Sequence, residues 1–305
     1  DSEYRTEIEQ RLWKIGIAPL PRNIGTATSE DGLDMFTIIG ECAELVTAQN
    51  PWRDSAEKSG EIPEFIQLMC EQRNTYGYDV LCGINFFEQS GAYDPILALE
   101  SAPANDWTND EAAELYSAAA ERICAQYKPP YFALALEVNS YYLKHPDDFA
   151  KFLERYPAMY ERIKTVSPDT KVFVTFQLEM MKGLGDDTWG MPVEPHWELI
   201  ECFGNRLDLL VFTSYPEVEY SQATAIPDTY YSEIRDHSNL KTAIAEIGWS
   251  STKYSEEDQT AFLERSVKQL DTLDMEFINW IFMHDLPGDG PLKKTGLRNP
   301  DGSEK

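Results

Sequence analysis

The chain has 305 residues, of which 42% are hydrophobic and 12% aromatic. That is enough to bury a substantial core, and it excludes compositional disorder. With 26 basic and 53 acidic residues the formal net charge is −27, a field that repels nucleic acid and anionic membranes. No apolar run reaches the roughly 18 residues that a transmembrane segment needs. The five cysteines, Cys42, Cys70, Cys82, Cys124 and Cys202, are odd in number and lack zinc-type spacing, so buried thiols are expected. The chain starts at Asp1 with neither methionine nor an apolar leader, as a trimmed or processed chain would, and any export signal would lie outside it.

Short apolar segments alternate with longer helical patterns. The first predicted strand is Lys14–Pro19, followed by a helix around Glu30–Cys42. The second strand is Glu44–Ala48, and a helix around Pro63–Asn74 leads to a third at Asp79–Asn85. The helix Asp110–Tyr127 has Asn109 or Thr108 as its cap. A fourth strand, Tyr131–Glu137, precedes the helix Pro146–Val166, and the fifth is Lys171–Gln177. A helix around Pro195–Phe203 and the sixth strand, Asp208–Thr213, come next. A helix around Asp228–Arg235 leads to the seventh strand, Lys241–Glu246. The helix Ser255–Asp271 opens with Ser-Glu-Glu-Asp, an N-terminal signature, and Phe277–Phe282 is the eighth strand.

Eight strands alternating with helices predict parallel strands joined by helical crossovers. Count and length favour a single (β/α)8 TIM barrel over residues 1–305, of class α/β, rather than an open sheet. Neither GxGxxG nor GxxxxGK[ST] occurs at a strand-to-helix turn, so no dinucleotide or nucleotide cofactor is expected.

Catalytic groups of such barrels lie at the C-terminal strand ends. Here those ends carry Glu137 with Asn139, Gln177 with Glu179, Ser214 with Tyr215, Glu246 with Trp249, and Trp280 running into His284 and Asp285. Alternation turns Thr175, Gln177 and Glu179 toward the barrel axis and Val172, Val174 and Phe176 toward the helices. In the fourth strand Ala133 and Ala135 share the inward face of Glu137 and leave it room. The seventh strand alternates less cleanly: Glu246 shares a face with Thr242 and Ile244, while Ala243 and Ala245 would point outward.

Strands four and seven stand across a barrel mouth from each other. Two opposed carboxyls about 5–5.5 Å apart suit retaining glycoside hydrolysis, one as acid and one as nucleophile. Flanking tryptophans offer sugars a stacking face, and Tyr215 can hydrogen-bond the nucleophile. The candidate substrate-binding residues are Asn139, Gln177, Glu179, Tyr215, Trp249, Trp280 and His284. Long loops at 86–108 and 179–194 would shape the subsites.

The strand-four glutamate, the Ser-Tyr-Pro at 214–216, the Glu-Ile-Gly-Trp at 246–249 and Trp280 resemble glycoside hydrolase clan A across Lys14 to about Leu297. Ser-Tyr-Pro is similar to the β-1,4-galactanase family, and Glu-Ile-Gly-Trp-Ser to β-1,3-glucanase and β-mannanase families. The resemblance implies a retaining (β/α)8 enzyme, endo-acting on a β-linked polysaccharide, secreted, periplasmic or surface-attached. It implies Glu246 as nucleophile, Glu137 as acid/base, Tyr215 orienting Glu246, and Trp280 flooring the sugar subsite. One position departs: Leu136 stands where the clan has an Asn that contacts the sugar 2-hydroxyl. Asn139 is the substitute on the same face, and Glu179 is the rival acid/base.

Each residue also has an ordinary structural reading. Either glutamate could be a paired buried carboxylate, and the aromatics could be core. Two other functions are consistent with the residues. One is a carbohydrate-binding barrel without its acid. The other is a divalent-metal enzyme using Glu137, Glu179, Glu246, His284 and Asp285, although no HxH or ExxH pairing is present.

Overall fold

The computed structural model describes residues 11–52, 61–89, 92–97, 106–288 and 290–305. The first half of the chain contains β1 (Lys14–Ile17), α1 (Ser29–Cys42), β2 (Leu45–Pro51), α2 (Glu64–Tyr76), β3 (Asp79–Asn85), α3 (Asp110–Tyr127) and β4 (Tyr131–Ala133). Next come α4 (Val138–Lys144), α5 (Pro146–Val166), β5 (Lys171–Phe173), β6 (Thr175–Gln177), α6 (Leu178–Met181) and α7 (Asp186–Trp189). A 3₁₀ helix, Trp197–Phe203, precedes β7 (Leu210–Ser214), α8 (Ile234–His237), β8 (Thr242–Ile247), α9 (Glu256–Leu270) and β9 (Met275–Trp280).

The strands pair in the order β5-β4-β3-β2-β1-β9-β8-β7-β6, every pair parallel. The two ends of this sheet, β5 and β6, are consecutive in the chain and separated only by Val174. They are halves of one strand, so the sheet closes into an eight-position (β/α)8 barrel. Contact with the fourth strand continues across the break: Leu134 N donates to Phe173 O (2.8 Å) and Thr175 N to Ala135 O (3.0 Å).

Local chemistry explains the helix starts. Thr28 and Asp31 form a capping box at α1, Asn109 accepts from Ala112 N at α3, and Ser255 accepts from Asp258 N at α9. Each satisfies a donor that the first helical turn leaves unpaired. Outward residues such as Phe176 and Phe212 pack against the helical layer, here on Phe203 and Trp197. At the N-terminal end of the barrel, Glu276 holds Lys171, Lys241 and the Tyr131 hydroxyl. Although burial opposes ionisation, these three partners pull its carboxyl down to about 2.

Several predicted elements are corrected. The fourth strand ends at Ala133 rather than Glu137. Glu137 sits at φ 50°, in the left-handed region, and turns the chain into α4. A non-glycine residue there costs on the order of 1–3 kcal/mol, and such strain concentrates at functional sites. The expected helix at 228–235 shrinks to α8, and that at 195–203 is the 3₁₀ helix. The stretch 179–194, expected as a loop, carries α6 and α7. Of the expected loop 86–108, residues 90–91 and 98–105 lie outside the described residues. All five cysteines are free thiols, but only Cys70, Cys82 and Cys124 are buried; Cys42 and Cys202 are exposed.

Candidate active site

A cleft of about 730 Å³ opens at the C-terminal ends of the strands. Thr47, Gln49, Glu137, Gln177, Tyr215 and Glu246 form its floor, and Phe65, Trp189, Phe282 and Leu292 line it from beyond the strand ends. The fold thus brings Glu137, Gln177, Tyr215 and Glu246 together from four strand ends.

Glu246 reaches the cleft through a bulge. The register between β7 and β8 runs Phe212 to Ile244, then Thr213 to Glu246. Ala245 is the extra residue, and Asn279 Nδ2 donates to its carbonyl (2.9 Å). In-register neighbours share a face, so Ile244 points outward with Phe212 and Glu246 inward with Thr213. Simple alternation had put Glu246 on the face of Ile244; the bulge re-aims the side chain.

Tyr215 Oη donates to Glu246 Oε2 at 2.8 Å. The tyrosine ring needs Gly248 beside it: a β-carbon there would lie 3.3 Å from Tyr215 Cε1 and 2.8 Å from Ile281 Cγ2. Glu137 is held from two strands. Its backbone N donates to Thr175 Oγ1 (2.8 Å), and its Oε1 accepts from Thr213 Oγ1 (2.6 Å). The Gln89 side chain also hydrogen-bonds this carboxylate.

The two carboxyls are electrostatically linked. Burial and the Glu137 charge push Glu246 up to about 8, against the Tyr215 hydrogen bond. Burial also raises Glu137, opposed by Thr213 and Gln89 and reinforced by the Glu179 charge. One carboxyl ionises and its charge keeps the proton on the other, so the proton belongs to the pair. The Glu137 charge raises Glu246 and the Glu179 charge raises Glu137, so both carboxyls stand above the usual range and the proton is held by the pair rather than by either one alone.

Other expected residues take different places. Glu179 is fully buried, beneath the cleft rather than in it. Asn139 is buried and spends its amide on the Gln177 backbone, accepting from Gln177 N (2.8 Å) and donating to Gln177 O (2.9 Å). It therefore offers nothing to a sugar hydroxyl in place of the Asn absent at Leu136. Trp249 is wholly buried, bonded to Asp258 and stacked on Tyr254 and Phe262. Trp280 is 4% exposed, and its Nε1 donates to Thr295 O (2.7 Å), outside the residues lining the cleft. His284 is buried against Leu20 O and borders a separate small pocket with Arg22 and Arg298. Among the described residues no group of three or more His, Cys, Asp or Glu could hold a metal ion.

Gln49, Gln89, Glu217 and Trp189 were not among the residues expected at the site. All four line the cleft. Gln49 carries a buried side-chain nitrogen with no hydrogen-bond partner among the described residues, an unspent donor beside the cleft. Its signal was present: Thr47 and Gln49 alternate as polar residues at the end of β2.

No family model matches the sequence, and no curated protein matches it either. Solved structures do. A GH5_18 variant from Streptomyces cattleya in complex with Manβ1-4GlcNAc superposes with a TM-score of 0.70 at 14% identity, over 96% of this chain and 78% of that one. A GH5_18 variant from Bifidobacterium longum subsp. longum with the same ligand gives 0.68 at 14% identity, over 96% and 75%. An exo-β-1,4-mannosidase from an Opitutaceae bacterium gives 0.67 at 15% identity, over 95% and 57%. The chain shares its fold with glycoside hydrolases.

Proposed function

We propose that this protein is a retaining β-glycosidase, with Glu246 as nucleophile and Glu137 as acid/base. The observation that carries the reading is the carboxyl pair itself: two glutamates, one on the turn after β4 and one in β8, line one cleft, each held by a hydroxyl donor. In the first step the Glu246 carboxylate attacks the anomeric carbon. The bond to the glycosidic oxygen breaks as Glu137 passes its proton to that oxygen. In the second step the Glu137 carboxylate takes a proton from water, whose oxygen displaces Glu246 from the sugar. Tyr215 holds Glu246 in place, and Gln49, Gln89 and Trp189 are the nearest candidates to contact the sugars.

The substrate class is a β-linked oligosaccharide or polysaccharide. The β-1,4-mannosyl disaccharide named for two structural neighbours is the first compound to assay. Endo-action is part of the proposal and is read by sizing the products: internal cleavage gives a spread of oligomers, end-cleavage a single small sugar.

The test uses a panel of aryl β-glycosides and β-glycans. Wild type should turn over at least one member, and the sugar first released should keep the β configuration. Glu246→Gly should be nearly inert and should regain activity with azide, giving the α-glycosyl azide. Glu137→Gly should give the β-glycosyl azide. Binding of oligosaccharides without turnover by wild type would replace this reading with that of a binding protein.

A further inference from the structure

Glu179 has no part in the two steps above, yet it is the most heavily bonded carboxylate near them. It is 0% exposed and sits on α6. Its Oε1 accepts from Ser214 Oγ (2.8 Å) and Tyr230 Oη (2.7 Å). Its Oε2 accepts from Tyr215 N (3.0 Å) and Gln177 Nε2 (2.5 Å). Four donors occupy the four acceptor positions of an ionised carboxylate. Two of them, the Tyr215 backbone N–H and the Gln177 amide, cannot reverse to become acceptors.

The partners are not scattered. Ser214 and Tyr215 are the residues where β7 ends and the chain turns, and Tyr215 carries the hydroxyl that reaches Glu246. Gln177 ends β6, lines the cleft, and is itself fixed by Asn139. A charge-assisted hydrogen bond is stronger than a neutral one, so an anion at this point ties two strand ends of the cleft floor together.

We propose that Glu179 is a positioning residue: its buried carboxylate clamps the Ser214–Tyr215 turn and, through the Tyr215 hydroxyl, fixes Glu246 for attack. This rests on the glycosidase reading above and extends it to a residue that touches no substrate. The same carboxylate also acts by charge on Glu137, raising it, whereas burial, Glu137 and Tyr215 are what act on Glu246. The Glu179 charge thus adds to what raises the acid.

Other charged and titratable groups face Glu179. Besides Glu137, the Glu217 carboxyl and the Tyr215, Tyr230, Tyr231 and Tyr220 phenols feel its charge. Lys182 Nζ lies 3.9 Å from the Tyr230 ring centre and pairs with Glu233 rather than Glu179. Burial raises the Glu179 carboxyl, and the hydrogen bonds from Tyr215, Tyr230 and Ser214 oppose that rise; among the described residues its compensation comes from these bonds rather than from a cation.

The experiment compares wild type, Glu179→Gln, Tyr215→Phe and the double variant on an aryl β-glycoside that wild type hydrolyses. Misplacing a catalytic group by about 1 Å costs roughly 100-fold in rate. Glu179→Gln is expected to lower kcat by about 10–100-fold with little change in KM. The basic limb of its kcat/KM profile should move to lower pH, because the charge that raises Glu137 is gone. The double variant should be no worse than the poorer single variant. Should Glu179→Gln fail to fold, Tyr230→Phe removes one donor but keeps the charge, so kcat should fall by less while the basic limb stays in place. A crystal structure of either variant should show Tyr215 Oη displaced from Glu246. Wild-type kcat and pH profile in Glu179→Gln, or losses that multiply in the double variant, would overturn the clamp alone. A wild type inert on every glycoside would overturn the glycosidase reading and the clamp with it.

Discussion

Glu246 owes its environment to three neighbours: Glu137 across the cleft, the Tyr215 hydroxyl, and the bulge at Ala245. Its carboxyl is raised from an ordinary 4.5 to about 8, and that shift links it to stability. A group with a raised folded value binds its proton more tightly in the folded state. Its contribution is fully present below pH 4.5 and is lost as pH rises toward 8. Glu246→Gln should therefore melt at a higher temperature than wild type at pH 8, with the gap closing as pH falls toward 4.5. Calorimetry across that range checks this; equal melting temperatures at pH 8 would contradict it. Gly248→Ala tests the other side of the residue. Its β-carbon would meet Ile281 at 2.8 Å and Tyr215 at 3.3 Å, and overpacking of this kind costs about 1–3 kcal/mol. The variant should unfold at lower urea and lose kcat, because Tyr215 must move. Glu246 and Glu137 could be picked out of the sequence because each ends an apolar strand. Glu179 looked similar, but three of its four donors come from residues 214, 215 and 230, a convergence that only the folded chain makes. Trp249 and Trp280 were singled out as aromatics near a rim. Nothing in spacing distinguishes an indole facing a cleft from one donating to Asp258 or to the Thr295 carbonyl.

At the scale of elements, every strand that borders the site was legible, since apolar runs bounded by polar ends mark buried parallel strands. Helices α3 and α5 were legible to the residue, α3 from its Asn109 cap and acidic first turn and α5 from Pro146 followed by two aspartates. What stayed hidden was non-periodic. The left-handed backbone of Glu137, which turns the chain into α4, has no signature in a glutamate. The bulge in β8 reverses the face that alternation assigns. The short helices α4, α6 and α7 are held by tertiary contacts, and pieces of that length carry little propensity of their own. One further element sits over the eighth strand end. The Lys305 ammonium is buried with Asp285, side chains 6% and 5% exposed and 2.8 Å apart. It also donates to Gly296 O (2.6 Å) and Ser251 Oγ (2.8 Å). It thereby ties the segment after β9 to the loop after β8. Removing one partner of a buried pair costs about 3–5 kcal/mol. Lys305→Met should lower stability in urea by that amount, and Asp285→Asn/Lys305→Met should lose less than the two single losses combined. Simple additivity would contradict the buried pair.

At the scale of the molecule, a formal charge of −27 makes the folded barrel repel itself. Screening shortens the reach of that repulsion to about 8 Å at physiological ionic strength. The melting temperature should therefore rise as sodium chloride increases from about 10 mM to about 500 mM, the range over which screening becomes short. A fall would mean that ion pairs such as those of Glu276 outweigh the net repulsion. The barrel itself was legible from the count of alternating elements, and its cleft from the polar strand ends. The substrate was not, because the lining that discriminates sugars is built from residues such as Gln49, Phe65 and Trp189, brought together from distant turns. The proposed double displacement makes Glu246 form a covalent bond to the sugar. The direct measurement is mass spectrometry of peptides after incubation with a 2-deoxy-2-fluoro β-glycoside bearing a good leaving group, which slows the second step and leaves the sugar attached. One added fluoroglycosyl group is expected, on the peptide containing Glu246. A label on Glu137 or Glu179, or hydrolysis of the reagent with inversion and no label, would contradict it.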